Sequence, residues 1–145
     1  MKGPNNTGVF VTVVVLALFA VLLVAVMQPH RDDTAHEPML GLVRANFTRL
    51  SPAYAAIPLL AGRSAYTDNK AVITLCLSDP KTGEPYDDNT IMYVALHELG
   101  HVITTSVGHG REFRKNFSNL LARASNYGFY DSTKPIVATY CGVKG

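Results

Sequence analysis

The chain has 145 residues, of which 48% are hydrophobic and 17% charged, and its formal net charge is +2. That length suffices for one small domain and a short additional segment. Residues 28–145 hold 12 of the 13 Lys and Arg residues and all 11 Asp and Glu residues. The two signs nearly cancel there, which excludes the strong positive field of a nucleic-acid-binding protein, and we expect no nucleic-acid partner.

Residues 8–27 carry no charge, and Thr12 is their only polar side chain. Twenty helical residues extend about 30 Å, the thickness of a hydrocarbon core, so the pattern predicts a transmembrane helix after a tail over 1–7. A cleaved signal peptide is the alternative, but its apolar region is typically about 7–15 residues long and Met27 makes a poor cleavage site. We therefore expect a single-pass membrane protein with lipid as a partner. Lys2 and Arg31 do not decide its orientation.

Residues 28–38 are polar, contain two prolines and are predicted to form a linker. The domain over 39–145 has an α+β pattern. A helical stripe of Met39, Leu42, Val43 and Leu50 follows Pro38 and ends near Ser51. Residues 54–60 are apolar and end in an irregular segment around Pro58. Residues 63–67 and 71–77 predict a hairpin about Asp68 and Asn69. Apolar residues recur at helical spacing after position 112, up to Gly128, and 135–141 predict a last short strand.

The most informative motif is His-Glu-Leu-Gly-His at residues 97–101. Histidines four apart lie on one helix face, so His97 and His101 can ligate one Zn²⁺, with Glu98 placed to act as a general base. The surrounding helix is apolar and predicted to be buried, with Asp87 among its N-cap candidates. Ionisable side chains on a buried helix are costly unless they are paired or bound to metal.

A catalytic zinc usually has three protein ligands, so a third is needed. The metzincin pattern fails because Thr104 and Val107 stand where it requires Gly and His. Glu112 is one alternative, as a ligand, as a partner of a ligating histidine or as a solvated helix-terminal acid. His109 is the better candidate, because flanking glycines allow the chain to turn back to the metal.

The chain resembles a WLM/SprT-like zincin domain. The resemblance is carried by these motifs together with residues 65–70, 72–77, 87–101 and Phe113. The resemblance covers about residues 40–142 and is greatest to the small, membrane-segment-bearing version encoded by large DNA viruses. It implies a minimal zincin-like fold with a motif helix, a small β-sheet and a C-terminal packing helix. It also implies zinc held by His97, His101 and His109, with Glu98 as general base. A virion or a host internal membrane is the implied location. By the same resemblance, the strand over Val72–Leu77 would border the substrate cleft.

The sequence therefore predicts a membrane-anchored zinc peptidase acting on a protein or peptide, in which Glu98 moves the proton of an attacking water. Tyr127, Tyr130 and Tyr140 are candidate donors to the oxyanion, although each taken singly suits a buried structural role. Two alternatives stay open: a structural protein that contacts other proteins of a viral particle, and a module that binds peptides without cutting them. Cys76 and Cys141 form a disulfide in an oxidising compartment or stay as thiols in a reducing one.

Overall fold

The computed structural model of the chain describes residues 6–26 and 32–144. The predicted tail up to residue 5, residue 27 and the linker residues 28–31 lie outside the described ranges. The chain divides into two compact units, Met1–His30 and Arg31–Gly145. The described part of the first unit is one helix, α1, over Asn6–Val26.

Helix α1 corrects the membrane prediction. Its side chains from residue 8 to residue 23 are exposed. Within 6–26 and 32–144, no helix has the length and apolar character required to cross a membrane. The predicted transmembrane helix over 8–27 and the single-pass membrane location are therefore wrong.

The second unit begins with a segment that packs onto the sheet. The amide of Asp33 donates to Leu59 O at 2.8 Å, and its carboxylate accepts from the amide of Ala61 at 3.0 Å. Helix α2 follows over Pro38–Leu50, as predicted, with proline in its first turn. Its buried stripe is only partly the expected one, because Leu40 and Phe47 are fully buried whereas Leu42 is exposed. A 3₁₀ turn over Pro52–Ala56 then leads into the sheet.

Three short strands form the sheet: β1 over Leu59–Ala61, β2 over Tyr66–Asp68 and β3 over Val72–Leu75. Their order is β1-β3-β2, with β1 parallel and β2 antiparallel to β3. The predicted hairpin is confirmed, and its turn lies at Asn69 and Lys70, both with positive φ. The assignment of the cleft-bordering strand to Val72–Leu77 is wrong. β3 is the central strand and all four of its residues are buried, whereas β1 and β2 are the edge strands and β2 lines the cleft beside the motif helix.

Two helices complete the core: α3 over Asp88–Ile103 and α4 over Arg111–Asn126. Both confirm the predicted helices, and Gly128 follows α4 with a φ of 77°. α3 packs against β2, β3 and α4, and α2 packs against α3 and α4. The apolar residues of these elements form one core, in which Phe47, Ile73, Ile91 and Leu99 are fully buried. This α+β core places α3 between the sheet and α4.

The carboxyl-terminal segment forms a small hairpin, with β4 over Thr139–Tyr140 and β5 over Val143–Lys144. A disulfide joins Cys141 to Cys76, which directly follows β3, with Cα atoms 6.3 Å apart. The Tyr140 hydroxyl accepts from the amide of Cys76 at 3.2 Å and donates to the carbonyl of the same residue. Of the two states left open for the cysteines, the structure has the disulfide.

Candidate metal centre

Helix α3 carries three of the predicted site residues. It begins at a well-formed cap, in which the Asp87 carboxylate accepts from the Thr90 amide at 3.0 Å and from the Thr90 hydroxyl at 2.7 Å. One turn separates His97 from His101, so both rings project from the same face of the helix. The third histidine, His109, lies on the exposed loop between α3 and α4.

The three imidazoles converge. Their Nε2 atoms lie 3.2 Å apart between His97 and His101, 3.1 Å between His101 and His109, and 3.0 Å between His109 and His97. The three histidines are therefore close enough to bind one metal ion. Tetrahedral ligand nitrogens bonded at about 2.0–2.1 Å lie roughly 3.3–3.4 Å apart, so the donor set fits an ion of this kind with small adjustments.

Phe113 of α4 packs against all three imidazoles. Its ring stacks on His101 at 4.4 Å and contacts His97 and His109 at centroid distances of 4.9 and 4.7 Å. The phenyl ring is 2% exposed, so its position is fixed by the core. Gly100 makes room for it, because a Cβ at that position would lie 3.0 Å from Phe113 Cε2. The glycine inside the motif thus allows close packing of α4 against the ligand face of α3.

The surroundings of His97 and His101 favour their neutral form. Burial, which is the largest cause, and the neighbouring His101 and His109 together lower the pKa of His97 to about 4. Burial, His109 and the Lys70 ammonium also lower the pKa of His101. A neutral imidazole is the form that ligates metal, so these shifts favour the ligating form of His97 and His101 near neutral pH.

Glu98 lies beside the histidines and is 7% exposed. Burial raises the pKa of its carboxyl group, and a hydrogen bond from Thr67 opposes that shift. The Thr67 hydroxyl lies 2.8 Å from Glu98 Oε2 and 3.0 Å from the Glu98 carbonyl oxygen. Strand β2 therefore fixes the carboxylate of α3 from across the cleft.

The histidines and Glu98 line one open cleft of about 690 Å³. One wall is the β2 strand and its turn, with Ala65, Tyr66, Thr67, Asn69 and Lys70, and the opposite wall is the loop over 106–109. Val107 on this loop is 92% exposed, and Tyr66 is 51% exposed. We call this space the histidine cleft. It is bordered by β2, an edge strand of the sheet, and exposes two large apolar side chains.

Other predicted candidates lie elsewhere. None of the three candidate tyrosines is among the described residues that line the histidine cleft. Tyr127 stacks on Phe129, Tyr130 lies beside Tyr93, and the Tyr140 hydroxyl is hydrogen-bonded to the backbone of Cys76. Burial raises the pKa of Tyr130 and of Tyr140. The Glu112 carboxylate accepts from the amides of Thr105 and Ser106, both at 3.1 Å, and so holds the loop.

Sequence reasoning did not identify Thr67 and Lys70 as site residues. Both belong to the predicted hairpin, so their proximity to each other was foreseeable. Their proximity to α3 depends on β2 being the edge strand next to that helix, and this is set by non-local pairing. The only local feature that could have indicated a site role for Thr67 and Lys70 is that both are polar residues at a tight turn.

Comparison with known proteins gives three viral relatives. The chain is 44% identical over 89 residues to uncharacterized protein 136R of Invertebrate iridescent virus 6, covering 60% of this chain and 50% of that protein. It is 39% identical over 87 residues to uncharacterized protein 042R of Invertebrate iridescent virus 3, covering 60% and 55%. It is 37% identical over 78 residues to uncharacterized protein R325 of Acanthamoeba polyphaga mimivirus, covering 52% and 40%.

The chain thus spans about half the length of the curated relatives it matches. No protein-family model matches it, and no solved structure does. The likeness to a WLM/SprT-like zincin therefore stays a prediction, and what these comparisons give is similarity to uncharacterized viral proteins.

Proposed function

We propose that the chain is a zinc-dependent peptidase whose metal ligands are His97, His101 and His109 and whose general base is Glu98. The observation that carries the proposal is the convergence of three Nε2 atoms within 3.0–3.2 Å of one another beside a buried carboxylate, in an open cleft. A metal site that only stabilises the fold has no need of that carboxylate or of access from solvent. Three nitrogen donors without a thiolate suit zinc.

Bound Zn²⁺ supplies a Lewis acid that makes water nucleophilic near neutral pH and polarises a carbonyl oxygen. Glu98 accepts the proton of the attacking water and returns it to the leaving amine. Thr67 holds one carboxylate oxygen during both transfers. The Phe113 ring keeps the three imidazoles packed, so that the ligand set needs little reorganisation.

Support for a peptide substrate comes from the wall of the cleft. β2 is an edge strand, and an extended peptide can add to such an edge through its backbone. Tyr66 and Val107 offer apolar surface on opposite sides of the same space. The substrate of this proposal is therefore an extended segment of a protein. The viral relatives favour a viral setting for it.

The first prediction tests the general base. We expect Glu98→Gln in the full chain to keep about one zinc per molecule, because the amide leaves the three imidazoles in place. Cleavage of an unfolded protein substrate should fall by about 10²–10⁴-fold, the usual contribution of a positioned base. Metal content is measured by elemental analysis, and cleavage is measured with and without a chelator.

Glu84→Gln is the matched control, since it makes the same chemical change in an exposed loop outside the cleft. It should cleave like the unaltered chain. Full activity in a purified Glu98→Gln sample would contradict the assignment of the base. One zinc per chain without cleavage by any sample would instead favour a module that binds peptides.

A further inference from the structure

The loop that carries His109 needs external support. It runs from Thr104 to Gly110, and all of it except Thr104 is exposed. Gly108 within it has a φ of 79°, a conformation that glycine adopts without strain. An exposed loop with two glycines is mobile unless other groups hold it, whereas a metal ligand must be held to about 0.5 Å.

Lys70 holds the carbonyl side of this loop. Its ammonium donates to the carbonyl oxygens of Thr104 and Thr105, and to that of Ser106 at 3.0 Å. An ammonium has three donors, so these contacts match its capacity. Lys70 itself has a φ of 57°, in the left-handed region that is unfavourable for a residue with a Cβ. The tight turn of the hairpin thus aims this side chain at the loop.

Glu112 holds the amide side of the same residues. One carboxylate oxygen accepts from the Thr105 amide at 3.1 Å. The other accepts from the Ser106 amide at 3.1 Å and from the Ser106 hydroxyl at 2.8 Å. Since Glu112 lies in the first turn of α4, the helix N-terminus also favours its negative charge.

Thr105 and Ser106 are therefore held by Lys70 through their carbonyls and by Glu112 through their amides. We propose that Lys70 and Glu112 are positioning residues for the metal centre: they fix the loop, and the fixed loop sets His109 against His97 and His101. The inference rests on the proposed metal site. It assigns a role in metal affinity to two residues that do not contact the metal ligands through hydrogen bonds.

The test is the zinc affinity of the full chain, measured by competition with a chromogenic chelator. We expect Lys70→Met and Glu112→Gln each to lower the affinity about tenfold, the scale of outer-shell changes at metal sites. Lys70→Arg should recover part of it. Lys81→Met, a change of the same kind in an exposed loop, is the control and should bind zinc as the unaltered chain does.

A double-mutant cycle separates positioning from general stability. In a His109→Ala background, Lys70→Met should no longer cause the tenfold loss of zinc affinity, because the hydrogen bonds of Lys70 reach only the loop that carries His109. The visible spectrum of the Co²⁺-loaded Lys70→Met variant should also shift towards that of His109→Ala. A tenfold loss that persists in the His109→Ala background would overturn the inference, as would unchanged affinity in both single variants.

The same measurement distinguishes the two proposals. If the unaltered chain binds no zinc, the metal site itself is wrong and the positioning role falls with it. If the unaltered chain binds zinc tightly and the Lys70 and Glu112 variants bind equally well, only the positioning role is wrong. Circular dichroism of the metal-free variants shows whether they fold. If Lys70→Met does not fold, the zinc affinity of Lys70→Arg still tests the role of Lys70.

Discussion

At the scale of single residues, the site depends on side chains that sequence motifs do not name. His97, Glu98 and His101 come from a recognisable pentapeptide, but Thr67 and Phe113 determine how they are held. Thr67 contacts both the carboxylate and the carbonyl oxygen of Glu98. Its hydroxyl is thus the direct link between the edge strand and the proposed base.

We predict that Thr67→Val, which keeps the shape of the side chain and removes its hydroxyl, lowers cleavage about tenfold. The physical reason is the loss of a charge-assisted hydrogen bond of about 1.5–3 kcal/mol that orients the carboxylate. Zinc content should stay the same, since Thr67 contacts no histidine in the described hydrogen bonds. Thr67→Ser should retain most activity. Equal steady-state rates for Thr67→Val and the unaltered chain would argue against this role.

At the scale of elements, periodicity predicted the helices well and the sheet only in part. α3 and α4 follow from apolar spacing, a capping aspartate and a terminal glycine, which are all local signals. β1 was missed because three residues, Leu59 to Ala61, are too few to show alternation and their parallel pairing with β3 is non-local. The order of the strands was not predictable either, and so the strand that borders the cleft was assigned to the wrong segment.

The cap of α3 gives a prediction on pH. Hydrogen bonds from Thr90, opposed by burial, lower the pKa of Asp87 below its ordinary value of 3.8. The unfolded chain then binds this proton more readily, so the cap stabilises the fold above about pH 4, and that stabilisation is lost as pH falls through the folded pKa. Asp87→Ala should lower the free energy of unfolding by about 1 kcal/mol at pH 7.

Urea unfolding of both proteins between pH 7 and pH 2.5 measures this effect. The difference between them should be constant above about pH 4 and should shrink at lower pH. Asp88→Ala is the control, because Asp88 is the adjacent acid and is not the capping residue. A difference that grows as the solution becomes more acidic would show that the sign is wrong.

At the scale of the whole molecule, a covalent link joins distant parts of the domain. The disulfide connects positions that are 65 residues apart, across α3 and α4. Tyr86 and Tyr140 support it, with ring centroids 4.8 Å apart and the Cys141 amide donating to the Tyr86 hydroxyl at 2.8 Å. The two cysteines were visible in the sequence, but whether they form a bond was not predictable. Buried thiols pack well without bonding, and the outcome depends on the redox compartment.

We predict that the Cys76→Ser, Cys141→Ser double variant has a lower free energy of unfolding by about 2–4 kcal/mol. Closing a loop of this length removes conformational entropy from the unfolded chain, and chain-entropy arguments give about 4 kcal/mol as the larger value. Urea midpoints with and without a thiol reductant measure it. The reductant should shift the unaltered chain and leave the double variant unchanged. Identical midpoints for the unaltered chain under both conditions would contradict a stabilising bond.

Asp33 affects whether a strand of another chain can pair with the edge of the sheet. Exposed strand edges recruit further strands, which makes them sites of unwanted aggregation. At β1, two outward backbone groups, the Leu59 carbonyl and the Ala61 amide, are already bonded to Asp33. The three-stranded sheet is thereby protected from polymerising on that flank. The proposed peptide substrate would therefore add at the opposite flank, along β2, which lines the histidine cleft.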